Sequence, residues 1–299
     1  MENIVTEITK KVFDCLPTEI TEITGKGVVN SVFKVETPKG IFILRLQKGA
    51  ENLKNFKKEK WATEKALVAG ASTAPILEVG VYDDYAFSFQ EFIEGDHAEE
   101  KHVDQEGVWE ELGKIAKKLH GIKVEGFGEN LFFEENTDGE KDWKSLVTSH
   151  KNRLFENDTF LKLEILSKEE LEKIEYLIEE MSSWYVEPVL CHGNISPRNA
   201  IVGKNGKVFL IDWGTTTGHL PEREIAEVYF WNENEKHIEA FLRGYELEKE
   251  KIKEAQRKID IISLIRAIDI AQWGIANKED WKKENFVQSA IKKIKTILS

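Results

Sequence analysis

Cysteine is nearly absent. The 299 residues carry two, Cys15 and Cys191, far apart in the chain. Two isolated thiols make neither a disulfide framework nor a structural zinc cluster, and they fit a reducing, cytoplasmic setting. Long apolar runs are missing too: none approaches the roughly 20 residues that span a bilayer. The N-terminal MENIVTEITKKVFDCL contains acidic residues and has no signal-peptide pattern. Positive charge is outnumbered, 42 Lys and Arg against 54 Asp and Glu, for a net charge of −12. That balance argues against nucleic acid as the main partner. It suits a cationic small substrate, or simply solubility. There is no internal repeat and no low-complexity segment. The length suffices for one large domain or two lobes with a real core.

What is present centres on residues 189–214, VLCHGNISPRNAIVGKNGKVFLIDWG. An apolar run leads into a polar loop, 192–199. Two short apolar segments, 200–202 and 208–211, then flank Lys204-Asn205-Gly206, and Asp212-Trp213-Gly214 follows. An Asn-Gly pair between apolar runs predicts a tight hairpin turn with positive φ at both central residues. Such a hairpin brings its ends together, so Asn199 and Asp212 should face each other. An amide oxygen beside a carboxylate is a pair of hard ligands suited to magnesium that also carries phosphate oxygens.

Upstream, residues 1–16 have helical spacing, with Ile4, Ile8, Val12 and Leu16 on one face and Pro17 as the stop. Residues 20–46 predict strands. The loop at 25–31 carries Gly25 and Gly27, a sparse glycine pattern that can offer backbone N–H groups to phosphates but is usually only a turn. Arg45 interrupts the apolar run 42–46, and a cation in mid-strand needs a partner or open solvent. A helix over 52–69 offers Glu59 and Glu64 as partners. A strand over 85–95 stops at Gly95. Beyond it the pattern turns helical, at 108–119, 143–155, 168–181, 220–231, 236–245, 250–277 and 281–298, with a loop-like insertion over 126–140. The order is α+β: a sheet-rich lobe, 1–95, then a mainly helical lobe, 96–299, with one embedded hairpin.

In this order the residues resemble the aminoglycoside phosphotransferase family, small-molecule kinases with a protein-kinase-like two-lobe fold that include macrolide and choline kinases. The loop His192-Gly193-Asn194-Ile195-Ser196-Pro197-Arg198-Asn199 sits where that family has His-Gly-Asp-x-x-x-x-Asn. Asp212-Trp213-Gly214 sits at its metal-binding Asp. Residues 220–226 match its Pro-x-x-Asp-Leu-Ala helix start, with Glu224 in place of the Asp, and residues 89–95 match its hinge. The resemblance implies transfer of the γ-phosphoryl group of ATP or GTP, with Mg2+, to a hydroxyl of a small and possibly cationic acceptor, most often an aminoglycoside-like antibiotic. It implies that Gly25, Gly27, Asn30 and Ser31 cover the triphosphate and that Arg45, paired with Glu59, holds the α/β-phosphates. The Glu91 carbonyl and Ile93 amide would meet the base, and Asn199 and Asp212 would hold the metal. Asn194, His192 and Arg198 occupy the catalytic loop, His192 more as a structural group than as a base. Acceptor choice would lie in 126–165 and the C-terminal helices, and Glu222, Glu224, Glu227, Asp260 and Asp269 are candidates for binding amino groups.

One residue departs from the pattern. The family's catalytic Asp is Asn194 here, and an amide oxygen accepts a hydrogen bond but takes up no proton at neutral pH. A knocked-down kinase, a nucleotide-binding pseudokinase and a slow but working kinase all fit this change, since phosphoryl transfer rests largely on positioning and charge stabilisation.

Overall fold

The computed structural model describes residues 1–24, 30–129, 131, 142–155, 159–232 and 234–299. Helix α1 (Glu2–Phe13) buries Val5 and Ile8 against a sheet. It ends at Asp14, which is left-handed (φ 51°), rather than at Pro17. Leu16, expected on the helix's apolar face, therefore lies past its end and is 60% exposed. The sheet is antiparallel, built from β1 (Glu19–Ile23), β2 (Ser31–Thr37), β3 (Gly40–Lys48), β4 (Ile76–Tyr82) and β5 (Tyr85–Glu91) in the order β1-β2-β3-β5-β4. Between β3 and β4 runs helix α2 (Leu53–Val68).

Side chains on a strand alternate between faces. On β3, Phe42, Leu44 and Leu46 join Phe33, Val35, Phe87 and Phe89 in the core under α1. Arg45 falls on the opposite face and meets α2, where its guanidinium lies 5.3 Å over the Phe56 ring. The period-two pattern thus delivers one cation to the only face that can receive it.

The strand expected over 85–95 is two elements. β5 ends at Glu91, paired with Phe42 near the start of β3, where its partner strand runs out. The chain then forms β6 (Gly95–His97), which pairs with the second lobe.

That lobe contains α3 (Gln105–Leu119), α4 (Trp143–Phe155), α5 (Thr159–Lys162), α6 (Lys168–Ser182), β7 (Val189–Cys191), β8 (Ala200–Gly203), β9 (Val208–Leu210), β10 (Thr217–His219), α7 (Glu222–Trp231), α8 (Glu235–Tyr245), α9 (Lys249–Asn277) and α10 (Asn285–Leu298). Helix α6 starts with a reciprocal capping box between Ser167 and Glu170. Helix α9 is central. Ile261, Ile262, Leu264, Ile265, Ala267 and Ile268 are all buried, so it is apolar nearly all round, as an enclosed helix should be.

The second lobe holds more strand than one hairpin. β6 adds to β8 and β9, and β7 pairs with β10. The β8–β9 hairpin closes through a four-residue loop, not a tight two-residue turn. Gly206 alone has positive φ (76°), its N–H bonds to the Gly203 carbonyl at 2.8 Å, and Asn205 Oδ1 accepts from the Lys207 N–H at 3.1 Å. The longer loop leaves the register at Ala200 opposite Leu210.

Candidate active site

β7 feeds the loop that follows it, and two neighbours clamp that loop. His192 Nε2–H donates to the Ile211 carbonyl at 3.0 Å, since a carbonyl can only accept. Burial holds the ring's pKa down to about 4, so it is neutral, and its Nδ1 has no partner among the described residues. The ring ties the loop to the far strand of the hairpin and packs edge-on against Trp213, centroids 4.9 Å apart. Next to it, Gly193 is left-handed (φ 83°), and a Cβ there would sit 2.2 Å from the Thr215 carbonyl oxygen. Only glycine fits. Its N–H donates to Glu224 Oε1 at 2.6 Å and its carbonyl accepts from Arg223 Nη2 at 3.3 Å. Glu224 is fully buried, which raises its pKa to about 7.

The hairpin closes beyond β8 and β9 with the Ile211 N–H on the Asn199 carbonyl at 2.8 Å, which sets Asn199 beside Asp212. The Asn199 amide nitrogen donates to the Asn194 carbonyl at 2.8 Å. With its nitrogen engaged, Asn199 has its Oδ1 as the group left for a cation. Asp212 has left-handed backbone (φ 63°, ψ 71°), unusual for a residue with a side chain and a cost of about 1–3 kcal/mol. Its side chain is 59% exposed and turned toward Arg45, 3.7 Å away. Asn194 is half-buried and its side chain makes no hydrogen bond among the described residues. Arg198 is exposed and has no side-chain partner there.

From the first lobe come two cations, Arg45, largely covered, and Lys58, buried. Arg45 forms a two-pronged pair with Glu59, Nη1 to Oε2 and Nη2 to Oε1 at 3.2 Å. Burial works against the Arg45 charge, but the attraction of Glu59 and then Asp212 outweighs it and holds its pKa above the ordinary value. Glu64 pairs instead with Lys60 at 2.8 Å. Lys58, one residue before Glu59, is 6% exposed and donates to the carbonyls of Glu129 (2.9 Å), Gly214 (3.1 Å) and Thr216 (3.3 Å). Ser31 begins β2 opposite Leu46, and the buried Asn30 Oδ1 before it lacks a partner among the described residues. Gly25 and Gly27 lie outside the described residues. At the junction of the lobes, Glu91 ends β5, and the Ile93 N–H has no intramolecular acceptor among the described residues.

Sequence reasoning missed Lys58, which stands among Lys54, Lys57 and Lys60 and looks like part of a solvated face. It also misplaced two carboxylates. Glu224 and Glu227 are fully buried and engaged, Glu224 with the Gly193 N–H and Glu227 with Arg223, Arg266 and Trp231. Burial seals both from solvent, although Glu224 Oε2 has no partner among the described residues.

A metal at Asn199 and Asp212 would find two hard oxygens. Among the described residues no cluster of three His, Cys, Asp or Glu could hold a metal by itself. Two oxygen ligands, with phosphate oxygens and water completing the shell, fit Mg2+.

Comparison with known proteins fits this geometry. No curated protein matches the sequence. Among solved structures, the aminoglycoside phosphotransferase APH(4)-Ia superposes with a TM-score of 0.76 at 13% identity, covering 100% of this chain and 98% of its own. APH(2")-IIia, solved with GDP and kanamycin, gives 0.68 at 13% identity, covering 99% and 98%. Spectinomycin phosphotransferase APH(9)-Ia, solved with ADP and its antibiotic, gives 0.62 at 15% identity, covering 99% and 94%. These likenesses establish the kinase-like two-lobe α+β fold. The model of the phosphotransferase enzyme family (APH) matches residues 19–255, from β1 through the clamped loop, the hairpin and α7. The chain therefore belongs to the phosphotransferase enzyme family and is a kinase.

Proposed function

We propose that the protein transfers the γ-phosphoryl group of ATP or GTP to a hydroxyl of a small molecule, at the cleft where Asn199, Asp212 and Arg45 converge. The observation that carries this reading is the meeting of Asp212 with the buried Arg45–Glu59 pair, 3.7 Å apart, beside an Asn199 whose amide is already oriented. Arg45 holds donor phosphates as a planar, permanent cation. Asn30 and Ser31 flank the phosphate cover, to which we also assign Gly25 and Gly27. The Glu91 carbonyl and the unpartnered Ile93 N–H suit the edge of a nucleobase. Asn199 and Asp212 would hold Mg2+, which when bound would offset charge as the phosphoryl group moves.

At the acceptor end, Asn194 accepts a hydrogen bond from the attacking hydroxyl and orients it. The acceptor oxygen bonds to the γ-phosphorus, the bond to the leaving nucleoside diphosphate breaks, and the hydroxyl proton passes to solvent, because the amide cannot take it. A general base contributes about 10²–10⁴-fold in such reactions. We therefore assign this protein slow turnover rather than a role as a nucleotide sensor. His192, neutral and turned into the hairpin, positions the loop. Arg198 is free to meet ligand from the exposed edge. We set the boundary of the lobes at 95/96, at the start of β6, whose first residue Gly95 pairs with Gly203 of β8. We place the protein in the cytoplasm, where nucleotide donors are abundant. Both described cysteines are free thiols, and no described helix is long and apolar enough to cross a membrane.

The test is ADP or GDP release in the presence of Mg2+ across neutral, cationic and anionic polyols, for the wild-type protein and Asn194→Asp. Folded protein with no release in either form sinks the proposal.

A further inference from the structure

A cavity of ≈ 220 Å³ lies between α4, β10, α7 and α9. Arg223 ties it to the loop, since it lines the cavity and also donates to the carbonyl of Gly193, next to Asn194.

The charges on this wall are unevenly placed. Arg223 and Arg266 share one carboxylate, the wholly buried Glu227, at 2.7 and 3.1 Å. Two guanidiniums on one carboxylate leave a positive charge in excess, and a guanidinium has more donors than this pairing uses. The third arginine, Arg153, is balanced. It lies 3.8 Å from Asp269 and donates to His150 Nδ1 at 2.6 Å, so that ring nitrogen bears no proton. The other lining carboxylate, Glu129, is exposed and acts on Lys58. Glu224 lies behind the wall, buried and largely protonated below neutrality. His219 faces the same space. It is 5% exposed, and its Nδ1 has no partner among the described residues.

We propose that the acceptor is an anionic polyol, a hydroxyl-bearing carboxylate or phosphate ester whose anionic group docks on Arg223 and Arg266 while its hydroxyl faces Asn194. This deepens the phosphotransferase reading and rests on it. It also reverses the expectation of a cationic acceptor drawn from the net charge of −12. An ammonium entering this cavity would meet the guanidiniums of Arg223 and Arg266, with Asp269 already drawn to Arg153 and Glu129 at the exposed edge. A carboxylate or phosphate would make charge-assisted, two-pronged hydrogen bonds there.

The experiment uses the full chain. Thermal stabilisation by Mg·ATP is measured first. Binding by calorimetry and ADP release are then compared for D-glucose, D-glucosamine, D-gluconate, D-glucose 6-phosphate and kanamycin. The expected result is that gluconate or glucose 6-phosphate binds or reacts about tenfold or more better than glucose and glucosamine. Which of the two wins separates a carboxylate from a phosphate source. Arg266→Gln should abolish the advantage and Arg266→Lys should keep much of it, and the wild-type series stands without either variant. Protein that binds Mg·ATP yet prefers glucosamine or kanamycin, or binds no anion better than glucose, overturns this inference and leaves the phosphotransferase reading intact. Folded protein that shows neither stabilisation by Mg·ATP nor ADP release with any acceptor overturns that reading, and this inference with it.

Discussion

The Asn199 side chain donates to the backbone carbonyl of Asn194 at 2.8 Å, so the residue proposed to hold a metal is oriented by the residue proposed to meet the acceptor. The bond uses the main chain of Asn194 and not its side chain. The residue at 194 can therefore change while the metal-side geometry stays.

That separation makes Asn194→Asp a clean gain-of-function test. The half-buried side chain makes no hydrogen bond among the described residues, so the substitution should leave stability within about 0.5 kcal/mol. A carboxylate there can accept the hydroxyl proton, and kcat should rise by about 10²-fold or more. Steady-state ADP release with a saturating acceptor checks it. An unchanged kcat would show that residue 194 does not limit the reaction.

Asp212→Asn tests the metal side. Asn tolerates left-handed backbone, so φ 63° at this position should not unfold the variant. The amide lacks the charge that a divalent cation needs. Stabilisation by ATP should lose its dependence on Mg2+, read as the difference in melting temperature with and without the ion. If Mg·ATP stabilises the variant as it does the wild type, Asp212 is not a ligand.

How much of this was legible in the sequence depends on the range of the interaction. Helices such as α3 and α8 announce themselves by spacing, and the β8–β9 hairpin by its Asn-Gly loop. Arg45 stood out because a cation broke an apolar strand. Spacing left Glu59 and Glu64 open as partners because both lie on one helix; the family resemblance pointed to Glu59, and packing puts Glu59 under Arg45 while Glu64 turns to Lys60. The Arg223–Glu227 pair looks like an ordinary i,i+4 surface pair, yet α9 buries it and adds Arg266. β7 and β10, three residues each, are too short for any period to show.

Glu224 gives the pH prediction. Burial raises its pKa from 4.5 to about 7 in the folded protein. Between these values the unfolded chain has lost its proton and the folded one keeps it, so stability falls as pH rises through this window and levels off above it. The contribution is about 3 kcal/mol. His192 and His150, both held down to about 4, act in the opposite direction, adding stability as pH rises from about 4 to 6.5. The comparison with Glu224→Gln isolates the carboxyl, since Gln keeps an acceptor for the Gly193 N–H. Denaturant unfolding at pH 5 and pH 8 should show the variant gaining relative to the wild type at the higher pH. A difference that does not move with pH rules out titration of Glu224 in this range.

Lys58 makes the last prediction, and it joins stability to activity. Its buried ammonium donates to three carbonyls, two of them, Gly214 and Thr216, in the loop just after Asp212. Burial lowers its pKa, but three acceptors around one nitrogen call for the three N–H bonds of the charged form. Lys58→Met keeps most of the stem and removes every donor. With buried carbonyls unsatisfied at about 1–3 kcal/mol each, partly relieved by water, the variant should lose about 3 kcal/mol. The loop that aims Asp212 should also loosen, so the KM for Mg·ATP should rise and kcat should fall together. Denaturant unfolding and nucleotide titration read the two effects separately. A variant that loses stability but keeps both kinetic constants would make Lys58 a structural strut with no hold on the metal loop, because a loop aimed by that ammonium cannot lose it and keep Asp212 in place.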